Sequence, residues 1–437
     1  MKLFLENVRS FEGWHEIPIS PATILLGENS AGKSTLLGML AVAHQSGFPF
    51  RGNFFNQFPF EFGGYKTLAT GKKTVKYFSV GLEALVHPVF PVRSKPDKLV
   101  SSGVIAAFRE NDGLPVVCHV FAWMDDVAFS FCEKEFEFLD RRKQIALPAN
   151  LVVESATQQE SSQQGLLVNQ LFRLLDEKSE KRASRAGDRR GDRDEKFGYL
   201  VHHMTAGRFM GWGAPTAMAF APMRSRPKRT YDQLSDEFSP EGDHVPLLLA
   251  RATDPNNRQA KALHDAIKVF GAYSEMFTDV DVKQLGRGSG DPFQVQVSMG
   301  SKKTNLMDVG YGVSQILPLI IDAQRASPET TLLLQQPEVH LHPKAQAALG
   351  SMIKDWVSKS KKTVVVETHS DYLVDRLRLE VKQGKLNPTD LKIFFLEKTG
   401  SQTKLHALAI DGQGNVLDAP EGYRDFFLRE QMSLLVD

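Results

Sequence analysis

Cysteine is scarce in this 437-residue chain, which contains only Cys118 and Cys132. Two cysteines are too few for a disulfide framework or a cysteine-rich zinc site, and they fit a reducing compartment. An excess of one charge is also missing, because 53 Lys and Arg residues accompany 52 Asp and Glu residues. No global field therefore attracts nucleic acid or an acidic membrane, and any such contact has to come from a local patch.

Long apolar runs are absent as well. No stretch approaches the roughly 18 uncharged apolar residues of a membrane span, and the opening residues MKLFLE lack the apolar core of a signal peptide. We therefore expect a cytoplasmic protein that contacts no membrane. What is present, 42% hydrophobic and 24% charged residues, is the composition of a globular protein with a sizeable core.

The predicted elements alternate between strands and helices. Residues 22–26 predict a short strand, which runs into a glycine-rich loop and a helix carrying leucines. Residues 72–138 have short alternating or β-branched runs that predict antiparallel strands. Continuous apolar runs at 331–334 and 363–366 are typical of strands covered on both faces. The pattern therefore indicates an α/β fold.

Residues 150–285 show a mainly helical period. Within them, residues 176–196 carry eight basic and seven acidic side chains, which favours a solvated helix or loop over a nucleic-acid arm. Further along, a helix is predicted to begin at Pro343, with apolar residues at helical spacing up to Val357. Residues 391–396 and 405–410 predict a hairpin.

The glycine-rich loop has the Walker A pattern, in which Gly27 is followed after four residues by Gly32-Lys33-Ser34. Backbone N–H groups of such a loop wrap phosphates, the lysine supplies a charge to the β- and γ-phosphates, and the serine hydroxyl ligates Mg²⁺. Because a strand precedes it and a helix follows it, a chance glycine turn is the weaker interpretation. The candidate nucleotide-binding residues are Asn29, Ser30, Ala31, Gly32, Lys33, Ser34 and Thr35.

Three further motifs lie in the last third of the chain. Residues 308–315 read DVGYGVSQ before an apolar helix, and we expect Ser314 to cap that helix, with Pro318 near its first turn. Residues 335–343 read QQPEVHLHP, and residues 367–370 read ETHS after a buried strand. The Walker A motif alone does not distinguish a GTPase, a kinase and an ABC-type ATPase. The class of protein therefore has to be inferred from these three motifs.

In order and spacing, the four motifs resemble the ABC-type ATPase heads of the SMC and OLD (overcoming lysogenization defect) group. The opening NVRSF at residues 7–11 resembles that group too, and the resemblance covers roughly residues 1–45 and 300–437. It implies an ABC-type P-loop ATPase head, with a mixed sheet and an antiparallel β lobe, plus a mostly helical insertion. The expected boundaries are 1–145 for the N-terminal part of the head, 146–290 for the insertion and 291–437 for the C-terminal part.

The resemblance also implies that two copies of the chain pair through their heads and clamp ATP between them. Gly312, Val313 and Ser314 would then be the signature segment that contacts the γ-phosphate in trans. Residues 340–342 would lie at the dimer seam, His369 would sense the γ-phosphate, and Arg9 would lie near the nucleotide.

The chain departs from this family at the Walker B acids, where it has Gln335 and Gln336. Glutamine cannot accept a proton from water or offer Mg²⁺ a full negative charge. Three explanations stay open: a slow ATP switch, Glu338 acting as the general base from a shifted position, or an introduced Glu→Gln change that traps ATP. Related subfamilies read Glu-Gln-Pro-Glu here, which makes Gln335 the odd residue. The candidate catalytic residues are Gln335, Gln336, Glu338 and His369, and the candidate Mg²⁺ ligands are Ser34 and Gln335.

Two domains of related enzymes are not expected. Only 68 residues follow His369, too few for the nuclease domain of OLD enzymes, and the absence of heptads excludes long SMC arms. Such heads resemble the ATPase subunits of bacterial anti-phage systems such as PARIS or Septu. That implies a homo-oligomer, a separate effector that is a nuclease or toxin, and a phage protein as a trigger. The alternatives are a DNA-binding head in repair and a nucleotide-dependent scaffold with little turnover.

Two other segments are candidates for binding. Arg224, Arg226, Lys228 and Arg229 either grip phosphate or an acidic partner, or they pack and face solvent. Residues 54–64 are rich in phenylalanine, and we expect a packed hydrophobic loop, with Gln57 as an ATP-sensing glutamine the weaker alternative.

Overall fold

A computed structural model describes residues 1–45, 47–50, 54–71, 76–86, 99–125, 127–132, 136–140, 216–232, 235–252, 257–288, 290–420, 422–423 and 432. The chain forms two compact units. The first unit contains Met1–Ile19, Ser30–Thr216 and Lys398–Lys404, and the second contains Ser20–Asn29, Ala217–Glu397 and Leu405–Asp437. The predicted boundaries after residues 145 and 290 stay predictions. The charged run 176–196 and the rest of 141–215 lie outside the described residues.

The strands are numbered in chain order. They are β1 Lys2–Val8, β2 Phe11–Pro18, β3 Ala22–Gly27, β4 Asn56–Gln57, β5 Phe60–Glu61, β6 Phe78–Val86, β7 Val100–Asn111, β8 Leu114–Met124, β9 Val127–Cys132, β10 Phe136–Asp140, β11 Ala217–Phe220, β12 Asp279–Gln284, β13 Phe293–Met299, β14 Lys302–Asn305, β15 Thr331–Gln335, β16 Thr363–Glu367, β17 Leu391–Thr399, β18 Gln402–Ile410 and β19 Val416–Leu417.

The helices follow the same order. They are α1 Lys33–Ala43, α2 Tyr65–Leu68, α3 Val245–Arg251, α4 Arg258–Ser274, α5 Tyr311–Arg325, α6 Pro343–Ser358 and α7 Asp371–Lys382. None of the helices that the structure describes is long and apolar enough to cross a bilayer.

The first unit contains a seven-stranded antiparallel sheet in the order β10-β9-β8-β7-β6-β1-β2. Residues 104–108 of β7 and 117–124 of β8 are buried at consecutive positions, so both faces of these strands are covered. Phenylalanine rings pack beside the sheet, for example Phe55 against Phe108 at 5.0 Å between ring centres. The predicted antiparallel lobe and the packed aromatic loop are therefore confirmed in the described residues.

The second unit contains a mixed seven-stranded sheet in the order β11-β15-β16-β3-β17-β18-β19. Its strands β11, β15, β16, β3 and β17 are parallel. Their apolar side chains, such as Ile24, Leu332 and Val364, pack in one core with Ile316 of α5 and Ile353 of α6. A separate antiparallel sheet contains β12, β13 and β14.

Strands β11 and β12 are corrections to the sequence analysis, which placed residues 217–220 and 279–284 in a mainly helical stretch. Strand β12 pairs antiparallel with β13. Strand β11 consists of residues 217–220. These residues pair in parallel with β15, so that Phe220 lies opposite Leu334. A four-residue strand gives too short a pattern to stand out from its surroundings, and only pairing along β15 makes it part of the sheet. The other predicted strands and the helix that begins at Pro343 are confirmed.

The parallel strands determine where the functional loops lie. Parallel strands end at the same edge of a sheet, and ligands of open α/β sheets bind at that edge. The Walker A loop leaves β3 there, residues 336–342 leave β15, residues 368–370 leave β16, and residues 221–231 leave β11. We call this the carboxyl edge.

Candidate nucleotide-binding site

The Walker A loop has a tightly constrained backbone. It begins at Gly27, where φ is 137°, and passes through Ser30 at 61° and Gly32 at 98°. A Cβ atom on Gly27 would lie 2.1 Å from the carbonyl oxygen of Leu396 in the neighbouring strand. Glycine is therefore required at this position by both backbone conformation and close approach.

In the first unit, Thr403 holds the end of this loop. Its hydroxyl lies 2.9 Å from the carbonyl oxygen of Ala31 and 2.7 Å from Oγ of Ser10. Its backbone N–H donates to the carbonyl oxygen of Ser10 at 2.8 Å. A Cβ on Gly32 would lie 2.9 Å from Thr403 Oγ1, so the second Walker A glycine is needed as well. No sequence motif pointed to Thr403 or to this role of Ser10.

Helix α1 begins in a way that fits an anion. Its N-cap residue is Gly32, which makes no side-chain capping bond, and its first turn has no acidic residue. The first N–H groups of a helix lack intrahelical partners and carry the positive end of the helix dipole, so they attract phosphate. Lys33 is 3% exposed and Thr35 is also buried. Residues 29–35 thus have the local structure that a triphosphate requires, although their role in binding stays a prediction.

Arg9 contacts the aromatic loop of the first unit. Its guanidinium lies 5.5 Å from the ring centre of Phe62, and its backbone N–H donates to Leu68 O at 2.7 Å. The Phe62 ring also packs on α1, because a Cβ on Gly38 would lie 2.3 Å from Phe62 Cζ. Phe62 therefore contacts both Arg9 and the helix that follows the Walker A loop. The location of Arg9 near a nucleotide stays a prediction.

The Walker B glutamines lie at the carboxyl edge in the second unit. Gln335 ends β15 in register with Glu367, which ends β16. Gln336 adopts φ of 42°, and its N–H donates to the carbonyl oxygen of Glu367 at 2.8 Å. The structure therefore brings the backbone of the two glutamines beside that of Glu367 on the adjacent strand. The sequence analysis did not give Glu367 a role.

Glu338 and His369 are brought together in the same unit. Glu338 Oε1 accepts a hydrogen bond of 2.7 Å from the backbone N–H of His369. Glu338 is 9% exposed, and its burial raises the pKa of its carboxyl group, opposed by hydrogen bonds from the 368–369 segment. A carboxylate with a raised pKa at the carboxyl edge has the chemistry of a general base. The side chain of His369 is exposed.

The signature segment differs from the sequence prediction at its helix start. Helix α5 begins at Tyr311 with Gly310 as the N-cap, so Ser314 lies inside the first turn and does not cap the helix. Its hydroxyl donates instead to the carbonyl oxygen of Tyr311 at 2.7 Å. Pro318 lies in the helix interior, beyond the first turn. The physical reason is that the backbone is already helical from Tyr311, whereas Gly310, with φ of −55° and ψ of 138°, is not, so the cap position falls four residues before Ser314.

Gly312 is in direct contact with the loop that follows the Walker B position. A Cβ on Gly312 would lie 2.7 Å from the carbonyl oxygen of His340, and the Tyr311 and His340 rings meet edge to face at 4.9 Å. Two motifs that lie nearly thirty residues apart in the sequence therefore form one surface. Their expected role at a dimer seam is not tested by a single chain.

The basic segment after β11 does not form one cationic patch. Arg224 is 3% exposed, whereas Arg226 and Lys228 are exposed. Arg229 forms a bidentate ion pair with Asp308, at 2.6 and 2.9 Å. Packing is therefore the right interpretation for Arg224, and pairing within the unit occupies Arg229.

A preformed metal cage is not found. Among the described residues, no group of three or more His, Cys, Asp or Glu side chains is arranged to hold a metal. Mg²⁺ in nucleotide sites is held mainly by phosphates, waters and one or two protein oxygens, so the residues at hand fit it. Ser34 and Gln335 stay the predicted ligands.

Comparison with known proteins gives one family match. Residues 226–375 match the family described as "AAA domain, putative AbiEii toxin, Type IV TA system". No curated protein matches the sequence. The matched stretch contains the signature segment, the Walker B position and His369.

Several solved structures are similar at low identity. The SmcHead bound to the C-winged helix domain of ScpA is 11% identical, with a TM-score of 0.44 over 94% of this chain and 97% of that chain. The Smc head domain with a coiled coil and joint from Pyrococcus yayanosii is 11% identical, with a TM-score of 0.43 over 99% of both chains. The SMC head domain from Thermotoga maritima is 9% identical, with a TM-score of 0.37 over 94% of this chain and 98% of that chain.

The matched stretch covers about a third of the chain, and the Walker A loop between β3 and α1 lies outside it. The predicted fold class, a mixed α/β head with an antiparallel β lobe, is confirmed.

Proposed function

We propose that this chain is the ATPase subunit of a bacterial anti-phage system, binds Mg²⁺-ATP between the heads of two copies, and controls a separate nuclease or toxin. One observation carries the ATPase part. The Walker A loop leaves the same carboxyl edge as residues 336–342 and 368–370, which is where open parallel sheets bind ligands. The defence role and the effector rest on the resemblance of the motifs to such subunits.

Each residue would contribute in a distinct way. Lys33 and the N–H groups of residues 29–35 would hold the phosphates, while Ser34 and Gln335 would hold Mg²⁺, which supplies charge neutralisation for phosphoryl transfer. Gly312 and Ser314 of a second copy would complete the cleft. His369 would respond to the terminal phosphate, and Glu338 would hold the His369 backbone in place through the hydrogen bond from its N–H.

Turnover would depend on Glu338, because positions 335 and 336 carry no acid. Glu338 is buried and holds the His369 N–H, and burial raises the pKa of its carboxyl group, which makes it a better proton acceptor than an exposed glutamate. In the same chain, the change Glu338→Gln should remove residual hydrolysis while leaving nucleotide in place.

The first test measures ATP binding and mass with and without ATP. The wild-type chain should retain adenine nucleotide and double in mass when ATP is added. Lys33→Ala should lose both, whereas Lys283→Ala, an exposed lysine of β12 outside the motifs, should behave as wild type. A wild-type chain that neither binds ATP nor changes mass would contradict the proposal.

The second test addresses the effector. Tagged chain should capture a product of a neighbouring gene, with capture altered by ATP. In parallel, duplex DNA binding should be measured at several salt concentrations, because a DNA-handling head predicts ATP-dependent, salt-sensitive binding. Strong DNA binding without capture of any protein would favour repair over effector control.

A second candidate function is a nucleotide-dependent scaffold with little hydrolysis. The paired glutamines at 335 and 336 favour it, because neither can accept a proton or give Mg²⁺ a full charge. It predicts ATP-driven assembly with phosphate release no faster than in the Lys33→Ala chain.

A further inference from the structure

Arg224 is a buried cation whose side chain makes no hydrogen bond to the part of the chain that the structure describes. It lies in the segment that leaves β11 at the carboxyl edge and is 3% exposed. None of the described residues accepts a hydrogen bond from its Nε, Nη1 or Nη2 atoms. A buried guanidinium without hydrogen-bond partners is unfavourable, so its presence calls for a state in which the donors are used.

The backbone of Arg224 is fixed by the signature helix. The Arg224 N–H donates to Gln315 Oε1 at 3.0 Å, and Gln315 Nε2 donates to Arg224 O at 3.4 Å. Gln315 is fully buried and follows Ser314 directly in α5. Any displacement of the start of α5 therefore carries the Arg224 backbone with it.

Arg224 and Glu338 lie in segments that leave the adjacent parallel strands β11 and β15 at the carboxyl edge, and the Glu338 charge acts on Arg224. Burial lowers the pKa of Arg224 to about 10, and the Glu338 carboxylate opposes that change. Glu338 uses Oε1 to hold the His369 N–H, while its Oε2 is buried and has no hydrogen-bond partner among the described residues. Unused donors and an unused acceptor of opposite charge thus lie in one buried region of the second unit.

We propose that Arg224 is a positioning residue that couples the signature helix to His369, by forming a hydrogen-bonded ion pair with Glu338 when nucleotide engages the signature segment. The inference rests on the proposed ATP-dependent pairing of heads. Gln315 moves Arg224, Arg224 binds Glu338 Oε2, and Glu338 holds the backbone of His369. Binding of nucleotide at the signature segment thereby changes the position of the His369 backbone in the same head.

The test is a double-mutant cycle on the full chain. Its readout is ATP-dependent self-association, determined by measuring mass. Arg224→Met should weaken self-association roughly tenfold, within the usual range of coupling between sites. Arg224→Lys should restore part of it because it keeps the charge. In the Glu338→Gln background, the same Arg224→Met change should have little further effect, since the partner is already lost.

A purely structural role would behave differently. Arg224→Met removes an unpaired buried charge, so the unfolding midpoint of the nucleotide-free chain should not fall, and ATP affinity at concentrations too low for self-association should change by no more than about twofold. A lower midpoint, or equal losses in both Glu338 backgrounds, would overturn the inference. If the wild-type chain itself shows no ATP-dependent self-association, the proposed function fails first and this inference fails with it.

Discussion

Thr403 Oγ1 lies 2.9 Å from the carbonyl oxygen of Ala31, although 372 positions separate the two residues in the sequence. The first residues of β18 therefore support the end of the Walker A loop. Ser10 completes the arrangement, because it contacts Thr403 through both its hydroxyl and its carbonyl group. The loop geometry depends on a residue that belongs to none of the family motifs.

Replacing Thr403 by valine should weaken ATP binding. Valine keeps the shape but leaves the Ala31 carbonyl and Ser10 hydroxyl without their partner, at a cost of about 1–3 kcal/mol, or roughly tenfold in affinity. Titration calorimetry with a non-hydrolysable ATP analogue measures the change. Thr403→Ser keeps the hydroxyl and is the matched control. Equal affinities for the valine and serine chains would mean that the hydroxyl does not position the loop.

Restoring an acid at position 335 should increase hydrolysis. Gln335→Glu places a carboxylate beside the end of β16 and gives Mg²⁺ a charged ligand, so phosphate release should rise roughly tenfold or more. Gln336→Glu, at the adjacent position, is the comparison that shows which site matters. An unchanged rate for Gln335→Glu removes the explanation that residue 335 is an introduced trap.

Acid should destabilise the first unit through His119. This histidine of β8 is 1% exposed, its Nε2 lies 2.6 Å from Ser130 Oγ, and burial lowers its pKa to about 4. Because the folded pKa lies below the unfolded value of 6.5, the unfolded chain binds the proton first as pH falls. This contribution to stability is fully present above pH 6.5 and is lost progressively down to about pH 4, and the loss at pH 5 is about 2 kcal/mol.

Urea unfolding at pH 7 and pH 5 tests this expectation. His119→Gln cannot take up the proton, so its stability should decline less between the two pH values than that of wild type. His15→Gln, at a partly exposed histidine of β2 in the same unit, should keep the wild-type response. Identical pH responses in the His119→Gln and wild-type chains would exclude this histidine as the cause.

A methyl group at Gly38 should disturb the packing of α1. The new Cβ would lie 2.3 Å from Phe62 Cζ and 3.0 Å from Phe60 Cδ1, so the rings have to move. Gly38→Ala should lower the free energy of unfolding by about 1–3 kcal/mol. Phe62→Leu makes room and should recover part of the loss when combined with it. Gly71→Ala is the control, because apart from its chain neighbours no atom of the described residues would lie within 4 Å of the new Cβ, and an equal effect there would count against the packing explanation.

Local patterns in the sequence determined much of the fold. The strand, loop and helix around Lys33, the buried strands β15 and β16, and the helix from Pro343 were all predicted. Each leaves a pattern within a short stretch: continuous apolar residues, a glycine-rich loop, or apolar residues at helical spacing. The position of the Walker A lysine and the absence of Walker B acids could be read in the same way.

Tertiary structure alone decided the rest. The start of α5 depended on Gly310 and not on Ser314, and β11 became a strand only through its pairing with β15. The contacts of Thr403 with Ala31, of Gln315 with Arg224, and of Glu338 with His369 join residues from distant parts of the chain. Such contacts leave no local pattern, because they arise when parallel strands align their ends and bring separate loops to one edge.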